Sequence, residues 1–135
     1  MVIEVTLAGG KRVHTEIKGM RIETDQPREA GGEGSAPSPF DLFLASLAAC
    51  SGYYVLDFCQ ARGIATDDIR VFMRTEVDPE KRMIGKVGIE IQLPSDFPDR
   101  YRAPVVRAAE LCSVKKHILD PPRFDTYATI DGERI

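Results

Sequence analysis

The sequence predicts an α+β fold, and three observations support that prediction. The N-terminal stretch alternates apolar and polar residues, which is typical of strands. An apolar, almost uncharged run at residues 38–62 has the length and composition of a helix. Two further alternating stretches and a second helical pattern follow it. The predicted order is three strands, a helix, two strands, a helix and a strand, within one domain spanning residues 1–135.

The first three strands are predicted from alternation and turn residues. The segment "VIEVTLAGGKRVHTEI" predicts a hairpin, because Gly9 and Gly10 can adopt the positive φ of a tight turn. The segment "KGMRIETD" predicts a third strand that begins after Gly19. Residues 26–37, "QPREAGGEGSAP", show no periodicity and predict a solvated loop.

The long helix has clear signals at both ends. Ser38 suits the N-cap and Pro39 suits the first helical position. Asp41 falls three residues after the cap, as the acidic residue of a capping box does. Gly63 is a C-terminal stop. A helix of about 24 residues is roughly 36 Å long. Because one thin sheet cannot cover so long and apolar a rod, we expect a second chain to help bury it.

The second half of the chain predicts two more strands, a helix and a final strand. The strands are expected at residues 69–77 and 83–93. The second helix is expected at 103–112, with Pro104 in its first turn, where a proline is tolerated, and the pattern allows a break near Ser113. The segment 123–132 predicts the closing strand.

Composition and charge exclude several classes of protein. The net charge is −3, and no Lys/Arg-rich run indicates nucleic acid or a membrane surface. The N-terminus lacks the pattern of a secretory signal. The uncharged run between Asp41 and Asp57 has 15 residues, which is short of a bilayer span. We therefore expect a soluble, cytoplasmic protein.

Three cysteines are the candidate chemical groups. Cys50 and Cys59 are nine positions apart on one predicted helix, so they lie half a turn out of phase and cannot form a disulfide. Any intrachain partner for either is Cys112. The spacings match no common zinc site, and we expect no bound cofactor.

The surroundings of the three cysteines differ along the sequence. Small residues flank Cys50 and leave room for a ligand, whereas bulky side chains flank Cys59 as they would a core filler. Basic residues that follow Cys112 can lower the pKa of its thiol. Spacing alone leaves both packing and redox roles open.

Two motifs in this chain resemble a known family. The segments "GGEGSAPSPFDLFLASLAAC" and "AAELCSVKKHIL" resemble the OsmC/Ohr family, the osmotically induced and organic hydroperoxide resistance proteins. The first matches the family's glycine-rich loop, helix start and cysteine, and the second its Cys-Pro-Val segment, with Ser113 replacing proline. The resemblance implies an OsmC-like βββαββαβ fold, in which sheets of an intertwined homodimer wrap a long central helix.

The resemblance also implies a thiol-dependent peroxidase that reduces organic hydroperoxides in oxidative stress. Cys50 would attack the O–O bond and become a sulfenic acid, and Cys112 would resolve it to a disulfide. An external dithiol, often a lipoyl group in the family, would restore both thiols. Arg28 is the best match for the family's activating arginine, with Arg21 as the second choice.

One position departs from the pattern of the hydroperoxide reductases. Those proteins carry an acidic residue ten positions before the first cysteine, and this chain has Phe40 there. Phe40, Phe43 and Leu47 would form an apolar substrate wall. The departure also supports an alternative, a non-enzymatic OsmC-like stress protein that binds a small apolar ligand.

Overall fold

The computed structural model describes every residue, Met1–Ile135, as three α-helices and seven strands. A 3₁₀ turn, Arg28–Ala30, precedes the first helix. Helices combined with small sheets confirm the predicted α+β class. The elements in chain order are β1 Glu4–Leu7, β2 Val13–Ile17, β3 Met20–Thr24, α1 Pro39–Gln60, β4 Arg70–Asp78, β5 Met83–Gln92, α2 Asp99–Ala109, α3 Ser113–Leu119, β6 Thr129–Ile130 and β7 Glu133–Arg134.

The chain divides into two compact units, and the boundary between them falls within α1. The first unit combines Met1–Ala49 with Val71–Glu90, and the second combines Cys50–Arg70 with Ile91–Ile135. The first therefore holds the N-terminal sheet and most of the β4-β5 pair. The second holds the end of α1 together with α2, α3 and the C-terminal hairpin.

The sheet of the first unit follows the predicted meander. β1 pairs antiparallel with β2, and β2 with β3. Gly9 and Gly10 have φ values of 84° and 60°, so the predicted turn residues do supply the positive φ. Cross-strand partners share a face, and the register therefore places Val5, Leu7 and Met20 on one apolar face, where all three are exposed.

The ends of α1 are capped as the sequence predicts. The Ser38 hydroxyl accepts the Asp41 N–H at 3.2 Å, and the Asp41 carboxylate accepts the N–H and the hydroxyl of Ser38 at 2.8 and 2.7 Å. These bonds, the hydroxyl first, lower the pKa of Asp41. At the other end Gly63 has φ of 65°, and the Ile64 N–H reaches the Cys59 carbonyl at 3.0 Å, which completes a Schellman motif.

α1 is long and apolar enough to cross a membrane if only length and composition are considered. The core helix of a soluble protein meets the same criterion. Phe40, Phe43, Tyr53 and Leu56 are exposed along this helix, whereas Leu47, Val55 and Phe58 are buried.

The second helical region differs from the prediction. α2 begins at Asp99, four residues before the predicted start, and Pro104 lies inside it. The Asp99 carboxylate pairs with Arg102 at 2.8 Å in the first turn. Pro104 has no N–H to donate, so one backbone hydrogen bond of the helix is missing. The next residue, Val105, is completely buried. Burial of this face thus offsets the missing bond. The chain then breaks at Glu110–Cys112, and a third helix, α3, begins at Ser113, where the sequence pattern allows a break.

The predicted closing strand is also shorter than expected. Within residues 123–132 only β6 forms, and it pairs with β7 in a hairpin of two-residue strands. Asp131 and Gly132 make the turn with φ values of 50° and 84°. An Asp-Gly pair is a strong hairpin signal, and the sequence prediction did not use it.

The core of the second unit contains Cys59. Its thiol is fully buried, and the preceding residue, Phe58, is buried as well. Burial raises the pKa of Cys59, and the charge of Arg62 opposes that shift only in part. The Arg62 guanidinium lies 3.7 Å from the centre of the Phe58 ring and donates to the Phe58 carbonyl at 2.9 Å. The prediction that Cys59 fills the core is confirmed.

Gly63 allows the C-terminal cap of α1 to be tested by substitution. Replacing it with Ala should lower the free energy of unfolding by about 1 kcal/mol, because a Cβ is disfavoured at φ of 65°. The matched control is Gly63→Asn, which tolerates the left-handed conformation and should lose less. Urea denaturation measures both. Equal losses in the two variants would contradict a conformational role for Gly63.

Candidate active site

Cys50 and Cys112 lie side by side in the second unit. The Cys50 side chain on α1 is one of the hydrogen-bonding groups that lower the pKa of the Cys112 thiol, and neither residue is in a disulfide. Cys112 is the N-cap of α3, and its sulfur accepts the Lys115 N–H at 3.4 Å. Cys112 is 0% exposed, whereas Cys50 is half-buried. The structure therefore brings together the two sulfurs that the sequence resemblance assigns to one redox pair.

The sulfur of Cys112 is surrounded by hydrogen-bond donors. Burial, the largest single influence, raises the pKa of its thiol. The Lys115 N–H, the Cys50 thiol, the Val114 N–H and the Ser51 hydroxyl oppose burial by hydrogen bonding to the sulfur. Together they outweigh it, and the pKa of Cys112 lies below its ordinary value.

Ser51 is a member of this cluster that the sequence prediction treated only as a small residue. It is 5% exposed and lies next to Cys50 on α1. A hydroxyl beside a cysteine in an otherwise apolar helix is the signal that could have identified it, since a buried hydroxyl needs a partner. A second polar contact joins α1 to the start of α3, where the Tyr54 hydroxyl lies 3.2 Å from that of Ser113.

The predicted arginines belong to the first unit. Arg28 lies exposed in the 3₁₀ turn, makes no ion pair, and its Nε lies 3.5 Å from the Glu33 carbonyl oxygen. Arg21, the second choice, donates to His14 and pairs with Glu23 at 3.2 Å. Arg28 thus has its charge available, but its placement beside Cys50 stays a prediction.

The loop that carries Arg28 is organised around a buried carboxylate. Asp25 is 1% exposed and accepts hydrogen bonds from the N–H groups of Gln26, Glu33 and Ser35 at 2.8, 3.1 and 3.0 Å. The Ser35 hydroxyl adds a fourth at 2.8 Å. These donors, the Ser35 N–H first, lower the pKa of Asp25 to about 2. The predicted solvated loop at residues 26–37 is confirmed, since none of its residues is buried, and the hydrogen bonds to Asp25 give it a defined conformation.

Gly32 is required by the same arrangement. A Cβ at this residue would lie 1.9 Å from the Gln26 carbonyl oxygen and 2.9 Å from a carboxylate oxygen of Asp25. Contacts this short do not occur with real Cβ atoms. Part of the glycine-rich sequence before α1 therefore serves close backbone packing around Asp25.

The residues predicted to form an apolar wall lie at the start of α1. The rings of Phe40 and Phe43 stack with their centres 5.7 Å apart, and both are exposed. Leu47 is buried. Of the three predicted residues, only the two phenylalanines therefore present ring surface to solvent.

The low pKa of Asp25 predicts a specific loss of stability in acid. The carboxyl has a pKa of about 2 in the folded protein against an ordinary value of 3.8. The folded state therefore binds fewer protons than the unfolded state in this range. The stabilisation is fully present above about pH 4 and is lost as the pH falls through about 2.

Thermal unfolding between pH 2 and pH 6 measures this effect. Asp25→Asn should lower Tm at pH 6 and flatten the fall of Tm on acidification, because it removes the titrating group. Glu29→Gln, which removes an exposed carboxylate from the same loop, is the matched control and should follow the wild type. Parallel curves for the wild type and Asp25→Asn would contradict the assignment.

Known proteins of one family resemble this chain in sequence and in fold. The sequence profile of the family described as OsmC-like protein matches residues 32–126. An organic hydroperoxide resistance protein OsmC from Legionella pneumophila is 26% identical, with 87% of each chain covered and a TM-score of 0.56.

Two more distant structures share the fold. An OsmC-like hydroperoxide resistance protein from Jannaschia sp. CCS1 is 18% identical, with 98% of this chain and 93% of that chain covered and a TM-score of 0.59. An OsmC-like protein from Mycoplasma pneumoniae is 13% identical, with 89% and 87% covered and a TM-score of 0.69. No curated protein matches the chain. Since the family profile covers well over half of its length, this chain belongs to the OsmC/Ohr family of OsmC-like proteins.

Proposed function

We propose that this OsmC-like protein is a thiol-dependent peroxidase that reduces organic hydroperoxides through Cys50 and Cys112. The observation that carries the proposal is the association of the two cysteines: both are free thiols, and the Cys50 side chain is among the groups that lower the pKa of Cys112. A disulfide requires the two cysteines to be neighbours. The Legionella relative, which is an organic hydroperoxide resistance protein, supports the choice of substrate class.

The burial of the two sulfurs assigns their roles in the proposed reaction. Cys50 is half-buried and can meet a peroxide, whereas Cys112 is fully buried. The Cys50 sulfur attacks the terminal peroxide oxygen, the O–O bond breaks, and an alcohol leaves behind a sulfenic acid. Cys112 then attacks the Cys50 sulfur, a disulfide forms and water leaves. An external dithiol such as a lipoyl group reduces the disulfide.

Arg28 and the aromatic pair have supporting roles in this proposal. Arg28, an exposed cation without an ion pair, would stabilise the negative charge that develops on the leaving oxygen. Phe40 and Phe43 would contact the alkyl group of the hydroperoxide, since their stacked rings are exposed. The chain would work in the cytoplasm as a soluble enzyme.

Exposed apolar surface supports a homodimer as the working form. On α1, Phe40, Tyr53 and Leu56 are 56%, 58% and 40% exposed. On the N-terminal sheet, Leu7 and Met20 are exposed on one face. Apolar surface of this extent is typical of an interface, and a second copy of the chain would cover it.

A second candidate function rests on the Phe40–Phe43 pair alone. Two exposed, stacked rings could hold a small apolar ligand without any chemistry at the cysteines. In that case an apolar ligand would raise Tm equally in the wild type and in Cys50→Ser, and Phe40→Ala would abolish the rise.

Treatment with cumene hydroperoxide tests the peroxidase proposal directly. One equivalent added to reduced protein should give a Cys50–Cys112 disulfide within seconds, with Cys59 still a thiol, as mapped by mass spectrometry. Cys50→Ser should reduce turnover to the uncatalysed rate, because the attacking sulfur is absent. Cys112→Ser should consume one equivalent and stop at a sulfenic acid that dimedone traps.

Cys59→Ser is the matched control and should retain turnover, because Cys59 packs in the core. Equal rates for the wild type and Cys50→Ser would reject the proposed function. Slow oxidation that does not distinguish among the three cysteines would reject it as well.

A further inference from the structure

We infer that the hydrogen bond between the hydroxyls of Tyr54 and Ser113 is a latch that holds Cys112 beside α1. The latch serves the resolving step, in which the Cys112 sulfur attacks the sulfenic acid of Cys50. Tyr54 and Ser113 are therefore positioning residues, which act through Cys112. The inference rests on the proposed function and adds to it the contact that keeps the resolving cysteine in place.

The latch joins two segments that are distant along the chain. The Tyr54 hydroxyl lies 3.2 Å from the Ser113 hydroxyl, which makes a long hydrogen bond between two side chains. Tyr54 belongs to α1, whereas Ser113 is the first residue of α3. The OsmC/Ohr motif has proline at the position of Ser113, and a proline ring could not form this bond. The contact is thus a feature of this chain's own sequence.

The latch and the two cysteines connect the same two segments. Tyr54 follows Cys50 by four residues, so the two side chains share a face of α1 and are about 6 Å apart along its axis. On the other segment, Ser113 directly follows Cys112. A bond that fixes Ser113 against Tyr54 therefore also fixes where Cys112 lies along α1.

α3 buries little surface of its own. It has seven residues, none of them buried, and Ile118 and Leu119 are 46% and 78% exposed. A helix this short is not stable by itself, and packing of an apolar face is the usual source of its stability. The buried Cys112 anchors the chain just before α3, and the latch fixes the residue that follows. A directional bond at Ser113 therefore contributes more here than it would in a buried helix.

Both hydroxyls of the latch belong to residues that other contacts hold. The Tyr54 ring meets the Tyr53 ring edge to face, with the ring centres 5.4 Å apart. The Ser113 carbonyl accepts a hydrogen bond from Nδ1 of His117 at 2.7 Å. Groups that are already ordered lose less conformational freedom when they bond to each other.

The resolving step depends on the position of Cys112. Its sulfur attacks the Cys50 sulfur, the S–S bond forms, and the S–O bond breaks to release hydroxide, which takes up a proton to give water. A disulfide has narrow limits on distance and dihedral angle, and a small displacement of reacting groups slows a reaction strongly. The earlier attack of Cys50 on the peroxide does not involve α3. Loss of the latch should therefore slow only the resolving step.

Single-turnover kinetics test this separation of the two steps. Reduced protein is mixed with one equivalent of cumene hydroperoxide, and samples quenched with dimedone are analysed by mass spectrometry. Tyr54→Phe, which keeps the ring, should consume the peroxide at an unchanged rate. It should form the Cys50–Cys112 disulfide about three- to tenfold more slowly, as expected for the loss of one hydrogen bond. The dimedone adduct of Cys50 should accumulate in the interval.

Three further variants distinguish the latch from a general effect on folding. Ser113→Ala should slow disulfide formation as much as Tyr54→Phe does, and the two changes combined should be no slower than either alone, because each removes the same bond. Ser113→Thr retains a hydroxyl and should restore the rate. Tyr53→Phe, which removes an exposed neighbouring hydroxyl and keeps the ring contact, is the matched control. An unchanged disulfide rate in Tyr54→Phe, or equal slowing in Tyr53→Phe, would overturn the inference.

A reaction without peroxide separates failure of the latch from failure of the proposed function. In the Cys59→Ser background, the Cys50 thiolate attacks dithionitrobenzoate and releases one thionitrobenzoate. Cys112 then attacks the mixed disulfide and releases a second, and Tyr54→Phe should slow only this second release. Slower release in a protein that does not react with hydroperoxide would retain the latch and reject the peroxidase. Rapid disulfide formation with hydroperoxide in both the wild type and Tyr54→Phe would retain the peroxidase and reject the latch.

Discussion

The hydrogen bonding around the Cys112 sulfur is the constraint on which the second unit depends. A titratable group removed from water is costly unless donors or acceptors replace the solvent. In this protein the donors come from α1, through Cys50 and Ser51, and from the first turn of α3, through Val114 and Lys115. The chain must therefore break its helix before Ser113, because only the residue that precedes a helix faces the N–H groups of that helix's first turn. The break between α2 and α3 is thus what allows the Cys112 sulfur to accept the Lys115 N–H.

The first unit solves a similar problem with a carboxylate. Asp25 is buried, and its oxygens accept four hydrogen bonds from the loop that follows. The loop closes tightly enough that Gly32 has no room for a Cβ. A loop held in this way gives Arg28 a defined backbone at the start of a 3₁₀ turn, while the guanidinium itself stays exposed. An arginine on a rigid support is suited to stabilise charge in a reaction, since little reorganisation is then needed.

The remaining property of the chain is its uncovered apolar surface. α1 combines buried and exposed apolar residues around most of its circumference, and the N-terminal sheet exposes one apolar face. The length and composition that would permit α1 to cross a membrane equally suit a helix covered by protein on several sides. The proposed homodimer would cover both exposed surfaces with one assembly.

Local sequence signals determined the elements whose structure depends on near neighbours. The Gly9-Gly10 turn, the capping box of Ser38 and Asp41, and the stop at Gly63 each act within a few residues, so pattern and propensity suffice to predict them. The geometry of one helix likewise excluded a Cys50–Cys59 disulfide. Family motifs then pointed to Cys50 and Cys112, because a pair of motifs at this spacing is fairly specific.

Only the tertiary structure decided what depends on contacts between distant segments. α2 begins at Asp99 and tolerates Pro104 because the burial of Val105 outweighs the loss of one backbone hydrogen bond. No local rule can evaluate that balance, because burial depends on the rest of the fold. Asp25 and Ser35 are ten residues apart in a sequence that resembles an ordinary loop, and only folding shows that one binds the other. The buried Ser51 influences the pKa of Cys112 only because the fold brings the start of α3 to α1. Buried polar groups are satisfied by whichever donors the fold places around them. The sequence alone does not show which donors those will be, because they come from segments that are distant along the chain.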